Sequence, residues 1–412
     1  MSTAVSPLSF KEVLKIGGMR RLWMAQVVSV FGDFLAIFAI FSLISFRMKG
    51  NASEVSGVLI AYLLPFTFVS PVAGVFVDRW NVKRTMIASD LIRAVLVGFL
   101  VLATNVWHIY GILFVLSTVS SFFMPAQSVA IRTMVPREGL LSANALIQQA
   151  FYALQIISPA IAAAIVSAAG PGICFWVDSA SFVASALFLS GIVVKRDTAP
   201  QLKNLGSIVH EMNAGVKFIL THASISVVVL SITAGMFAVR CFGALVAVFV
   251  RDVLAAGNGL FGILSSLVGV GMIIGSQFTR RLAMTRSKAH MVIGGLVGMG
   301  VGISIVAAVP WVPFAIAGML IMGLFAAFIV IPSQALMQEE TPPELLGRVG
   351  GSMMSVMMAS QIAALCLAGP VAQIMGIRNL YFASAAFLAL IAVAGHYRLG
   401  RNVAIQRAAV NA

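Results

Sequence analysis

Five ionisable side chains interrupt the apolar runs of this sequence: Asp33, Asp90, Arg93, Asp178 and Arg240. A charge at the centre of a lipid-spanning helix costs about 2.5–3.5 kcal/mol on insertion scales. Such a residue therefore marks a place where charges pair, a proton moves or a ligand binds. Asp33 lies eleven residues after Leu22 and thirteen before Phe46, near the middle of its run. There it is able to exchange a proton, to bind a cationic ligand, or to do both in turn; the alternative is a permanently paired structural charge. Asp178 lies seven residues past Pro171 and reads either as a proton exit group or as a helix-packing charge. Asp90 and Arg93 are three apart, so they share a helix face. At 1.5 Å per residue Asp90 is only about 8 Å inside the end of its run, which suits a structural or gating role. Arg240 occupies the middle third of the seventh run. It is a partner for Asp33 or a site for anionic groups. Among the amides, Gln148, Gln149, Gln155, Gln334 and Gln361 cannot all face lipid: some line a cavity and others pack between helices.

The elements that carry these residues follow from composition. Of 412 residues, 60% are hydrophobic and 10% charged, against about a quarter charged in soluble domains. That excludes a soluble globular enzyme and a disordered chain. A bilayer span needs about 20 mostly apolar residues. Twelve such stretches occur, at 22–46, 54–77, 85–105, 107–131, 143–169, 172–194, 224–250, 258–279, 289–308, 311–336, 349–372 and 378–397. Of the 27 Lys and Arg residues, 21 fall at the two ends and in the even-numbered connections, and four in the odd-numbered ones. The positive-inside rule then places both termini in the cytoplasm, and an even span count agrees. The net charge of +14 is accounted for by topology rather than by nucleic acid. The first apolar run is too long for a signal peptide and reads as a retained span. Cys174, Cys241 and Cys366 sit in apolar segments without metal spacing, and read as small buried hydrophobes. Neither a G-x-x-x-x-G-K-[ST] loop nor H-E-x-x-H occurs. The expectation is thus no cofactor, no metal, no nucleotide-driven step and no enzymatic activity.

The longest polar connection, 195–223, separates six spans from six. Within it Leu202, Leu205, Val209, Met212, Val216 and Leu220 recur at helical spacing, an amphipathic helix expected to lie on the inner membrane face. The organisation is a bundle over 1–194, a linker over 195–223 and a bundle over 224–412. A repeat supports it: PAQSVAIRTMVP at 125–136 matches PSQALMQEETPP at 332–343, with Pro125 on Pro332, Gln127 on Gln334 and Pro136 on Pro343. The offset of 207 maps Asp33 onto Arg240. Parallel six-span repeats are a transporter architecture with a central site.

The connection after span two runs from Gly74 through Asp78, Arg79, Trp80 and Asn81 to Lys83 and Arg84. It resembles the signature loop of the major facilitator superfamily, G-x-x-x-D-R-x-G-R-[KR]. Asn81 stands where that pattern has Gly, a mild change because Asn also tolerates left-handed backbone. A worn copy follows span eight, from Gly275 to Thr279 and Arg280. The resemblance implies that Gly74, Asp78, Arg79, Lys83 and Arg84 form a charge latch that makes and breaks with transporter state. Asp90 and Arg93 would assist gating nearby. Gly32-Asp33-Phe34, Ser89-Asp90 with Arg93, Phe123 to Gln127, and Val177 to Phe182 resemble the drug/proton antiporter branch, which includes macrolide and enterobactin-type siderophore exporters. The arginine many of those exporters carry in span four is absent. Gln155 to Ala164, around Pro159, resembles a softened antiporter motif.

These readings converge on a twelve-helix all-α membrane protein of two pseudo-symmetric bundles, located in a bacterial inner membrane and working as a monomer. The expected function is proton-coupled export of a lipophilic or siderophore-like small molecule. Asp33 and Asp178 are expected to carry protons, while Asp33, Arg240, Gln149, Gln155 and Gln361 are expected to meet substrate. Import of a small metabolite, or a sensing role without transport, are the alternatives. The partners are then the substrate, protons and the bilayer.

Overall fold

The computed structural model describes residues 8–77, 79–194, 215–282, 286–342 and 345–410. Among them there are helices and turns and no strand. All twelve expected spans are present as helices long and apolar enough to cross a bilayer. They are Gly17–Ser42, Ala52–Val77, Val82–Phe99, Val106–Met134, Leu140–Ala169, Pro171–Ser190, Ala223–Asp252, Asn258–Leu282, Lys288–Ala308, Val312–Glu340, Leu346–Met375 and Ile377–Val410, numbered below as spans one to twelve. Span one continues through a π turn, Leu43–Arg47, and span three through a 3-10 turn, Leu100–Leu102.

Backbone chemistry sets the boundaries. Asn81 and Asn105 cap spans three and four, their side-chain oxygens accepting from Arg84 N–H at 3.0 Å and His108 N–H at 2.9 Å, which satisfies donors that have no helical partner. Asn81 thus serves as an extended cap, φ −72°, and not as the left-handed residue expected from its place in the loop pattern. Gly170, at φ 82°, breaks the chain between spans five and six, and Pro171 starts the next helix. The C-terminus of span six is closed by two cations. Arg21 donates to the Gly191 carbonyl and Lys83 to the Ser190 carbonyl, as the helix dipole favours. Before span one, a short helix, Phe10–Lys15, begins with a Ser9–Glu12 capping box. The Ser9 hydroxyl and backbone N–H hold the Glu12 carboxyl below its ordinary pKa. Leu8 N–H bonds to the Glu138 carbonyl at 3.1 Å, tying this helix to the connection between spans four and five.

The chain forms two compact units. One comprises 1–50, 57–202 and 257–266; the other comprises 51–56, 203–256 and 267–412. In the first, spans one and three pack on span six, and span five on span one. A buried cluster that includes Met19, Leu22, Met86, Phe123, Ile131 and Leu189 fills one end. In the second, spans nine and ten form the closest pair, with span twelve on nine and span eleven on seven. Backbones meet closely here because glycines face them. A Cβ on Gly323 would stand 2.0 Å from the Val268 carbonyl oxygen, and one on Gly275 would stand 2.2 Å from that of Leu324. The worn signature copy is therefore a packing contact at its glycine, with Thr279 buried and bonded to the Gly275 carbonyl at 2.8 Å.

The internal repeat is visible in the backbone. Pro125 and Pro332 both lie inside the fourth helix of their half. Lys49 and Ala255, after spans one and seven, share left-handed φ of 51° and 49°, and Gly170 and Gly376 share φ of 82° and 85°. These last pairs are 206 residues apart, one fewer than the prolines. At the ends of spans one and seven the register is thus 206, and the π turn of span one, Leu43–Arg47, lies between that point and Asp33. Pro343 and the linker residues 195–214 lie outside the described residues. Of the expected amphipathic helix, 215–221 is described and is helical, with Leu220 exposed.

Candidate functional site

Span six turns one polar face inward. Asp178, Ser181 and Ser185, spaced as on a helix stripe, are all buried. Spans one and three, packed on that face, bring their own ionisable residues to it. Asp90 is fully buried; one carboxylate oxygen pairs with Arg93 and the other accepts from the Ser185 hydroxyl at 2.6 Å. The Arg93 guanidinium lies between two rings, 4.7 Å from the centre of Phe123 and 4.3 Å from that of Phe182. Such sandwiching favours a cation in a dry setting. Arg93 Nε also donates to the Ser89 carbonyl at 3.4 Å.

Asp178 is 1% exposed. Among the described residues its carboxylate takes a hydrogen bond only from Ser181, at 3.2 Å, while that hydroxyl also donates to the Asp178 carbonyl at 2.8 Å. It fits against span one because residue 32 is glycine. A Cβ there would lie 2.3 Å from Asp178 Oδ1 and 2.3 Å from Ser181 Oγ. The next residue is Asp33, half-buried. The charges of Asp33, Asp90, Arg93 and Asp178 act on one another. Three carboxylates thus gather around one guanidinium inside the first unit. With every carboxylate ionised, the group would hold two uncompensated negative charges, with Asp90 and Asp178 buried, which is costly. Taking up protons removes that cost.

Asp33 opens this group onto a cavity of about 350 Å³, at the small end of ligand-sized pockets. Five helices supply its wall. Span one gives Gln26, Ser29, Val30 and Asp33, and span four gives Ser120, Phe123, Met124 and Gln127. Span five contributes Ile147, Gln148, Phe151 and Leu154, and span two Tyr62 and Phe66. Arg93 also reaches the wall, so the charged group and the cavity are continuous. Gln127 is 4% exposed, and its side-chain nitrogen has no hydrogen-bond partner among the described residues. An unpaired buried donor costs about 1–3 kcal/mol, a cost that an acceptor in the cavity would offset.

The sequence-expected residues distribute unevenly about this site. Asp33, Asp90, Arg93 and Asp178 come together, so the Asp90–Arg93 pair belongs to the buried group. Gln148 lines the cavity, whereas Gln149 and Gln155 are exposed and absent from its described lining. In the second unit Arg240 Nε donates to Gln361 Oε1 at 2.6 Å, and Gln361 is buried. In the signature loop Lys83 caps span six, Arg79 is exposed, and Arg84 supplies the N–H that Asn81 caps. Gly74 meets nothing within 4 Å of a Cβ position. Asp78 lies outside the described residues. Gly32, Gln26, Gln127, Ser181 and Ser185 were not singled out as site residues. Their helical spacing from Asp33, Phe123 and Asp178 was the signal available.

The chain is similar to known proteins in sequence and in fold. The transporter YfiS of Bacillus subtilis, of the MFS type, is 23% identical over 91% of this chain and 91% of its own length. Macrolide efflux protein A of Streptococcus pyogenes is 24% identical over 90% of this chain and 93% of its own. The multidrug efflux pump Tap of Mycolicibacterium fortuitum is 24% identical over 92% and 95%. A crystal structure of the nucleoside transporter NupG, in a mutant form, superposes with a TM-score of 0.76 at 13% identity, covering 92% of this chain and 99% of that one. Residues 22–358 match the family described as Major Facilitator Superfamily. That match begins in span one and ends within span eleven, and it makes the chain a multi-pass membrane protein of the major facilitator superfamily.

Proposed function

We propose that this transporter exports a lipophilic small molecule, drug-like or siderophore-like, in exchange for protons across a bacterial inner membrane. The observation that carries the reading is the cluster of two buried carboxylates, one half-buried carboxylate and one guanidinium, opening through Asp33 onto a mostly apolar cavity. A carrier that exchanges protons for cargo needs an acid that both species reach, and the place of Asp33 in the cavity wall supports that role. The wall suits cargo with large apolar surfaces and acceptor oxygens. Phe66, Phe123, Met124 and Phe151 offer adaptable contact, and Gln127 offers an unpaired donor. The names of macrolide efflux protein A and the Tap multidrug efflux pump support export of such cargo. Arg240 and Gln361 are proposed as polar contacts for cargo in the second unit. Gln149 and Gln155 keep that role only if cargo meets the exposed face of span five. The 21-to-4 distribution of basic residues supports cytoplasmic termini, and the 195–223 linker divides a bundle over 1–194 from one over 224–412. The signature loop, from Gly74 to Arg84, is proposed as the latch, and the transporter is proposed to act as a monomer.

The test is uptake into proteoliposomes with an imposed pH gradient. Asp33→Asn is expected to abolish accumulation against a concentration gradient while leaving downhill exchange partly intact, because the amide keeps the size and much of the hydrogen bonding. Uphill accumulation by Asp33→Asn at the wild-type rate would remove Asp33 from the mechanism.

A further inference from the structure

Within the buried cluster the four charges are not equivalent. Asp90 and Arg93 pair directly, on one helix, and each is held from a second side. Ser185 of span six occupies the other Asp90 oxygen, and Phe123 and Phe182 clasp the guanidinium. This pair neutralises itself and is fixed in place. Asp33 and Asp178 are left as the two acids without such a fixture. They come from different helices. Asp178 fits against span one at Gly32, the residue before Asp33, where a Cβ would stand 2.3 Å from Asp178 Oδ1, and the charges of the two acids act on each other. Asp178 is sealed from the surface, and Asp33 lines the cavity.

We propose that Asp33 and Asp178 act as one proton-binding pair, shared between spans one and six through the notch at Gly32, with Asp90–Arg93 as its fixed counter-charge. This rests on the proton-coupled reading and assigns the proton within it. When each acid of the pair holds a proton, the cluster is neutral: two carboxylic acids, one carboxylate and one guanidinium. Release of one proton, from Asp33 into the cavity, leaves a single negative charge that the two acids share. That charge is what a cargo molecule in the cavity meets. The remaining proton is shared with the sealed Asp178, and the negative charge already present opposes a second release. Gly32 is a positioning residue here. The groups facing the pair are Asp90 and Arg93 of span three, with Ser181 and Cys174 of span six; Cys174 lies four residues before Asp178 and feels its charge.

The experiment is infrared difference spectroscopy of the purified, cargo-free protein, following the protonated-carboxyl band through a pH titration. Asp33→Asn and Asp178→Asn each remove one component. If the acids share a site, each substitution also moves the midpoint of the acid that remains, by about one pH unit or more. Gly32→Ala keeps both acids but pushes them apart, and is expected to move both midpoints. Gly111→Ala, where a Cβ meets nothing within 4 Å, should leave them unchanged. Remaining midpoints identical to wild type in both asparagine variants would overturn the pairing, as would a Gly32→Ala titration that superposes on wild type. The titration reads proton sharing without transport. A failure of proton-driven export would therefore show separately, in the proteoliposome assay, with the shared titration still present.

Discussion

At the scale of single residues, the cost of isolating a charge decides what is kept. Removing one partner of a buried ion pair costs about 3–5 kcal/mol, whereas removing both is often near neutral. Arg93→Met is therefore expected to lower the unfolding stability in detergent sharply, because it leaves Asp90 alone, fully buried, with only Ser185 to bond. Asp90→Asn combined with Arg93→Met should recover most of the loss. If the double variant is as unstable as the single one, the two side chains are not a self-contained pair. The charged residues of this site were legible in the sequence because each interrupts an apolar run. Their grouping was not. Asp33, Asp90 and Asp178 are far apart along the chain, and what joins them is a glycine and two serines, types that hydropathy passes over. Gly32 carries its information as an absence, visible only when the carboxyl of span six is seen filling it. The same holds for Arg93: spacing gave its bond to Asp90, but the clasp of Phe123 and Phe182 comes from helix packing.

At the scale of elements, the loop after span two divides its labour. Lys83 closes the C-terminus of span six together with Arg21. A cation at a helix C-terminus contributes about 0.3–1 kcal/mol. Lys83→Ala is accordingly expected to lower the unfolding temperature in detergent modestly through the lost cap, apart from any effect it has on transport through the latch. Asp78→Asn is expected to cut transport strongly with near-normal membrane insertion, if the loop acts as a latch. Transport rates in membrane vesicles, normalised to inserted protein, separate the two. Wild-type transport by Asp78→Asn would reduce the loop to a topology signal. Helix existence was plain from hydropathy, since twenty-residue apolar runs have few other solutions in a bilayer. The element details were harder to read. Asn81 looked like a substitute for a turn glycine and is an N-cap. Gly275 looked like a relic of the loop pattern and is a contact between spans eight and ten. Short-range pattern does not distinguish a glycine kept for its φ from one kept for a close approach.

At the scale of the whole molecule, orientation follows from charge. Reporter fusions near residues 50 and 255 are expected outside, and near 82 and 137 inside; reversed signals would overturn the assignment. The repeat was legible from two prolines and a glutamine, and the paired left-handed residues Lys49 and Ala255 place its copy in the backbone as well. A one-residue difference in register at the ends of spans one and seven was invisible to a sequence match anchored on spans four and ten. Coupling belongs to this scale too, since one charge carried across the membrane is worth about 2.3 kcal/mol per 100 mV. The most direct test uses purified wild-type protein in proteoliposomes with a pH-sensitive dye inside and no imposed proton gradient. A gradient of a transported lipophilic compound is applied, and proton flux is read. Protons are expected to move opposite to the cargo, in proportion to its flux, with the flux lost in Asp33→Asn. Cargo movement with no accompanying proton flux, or with protons moving in the same direction, would contradict proton-coupled export.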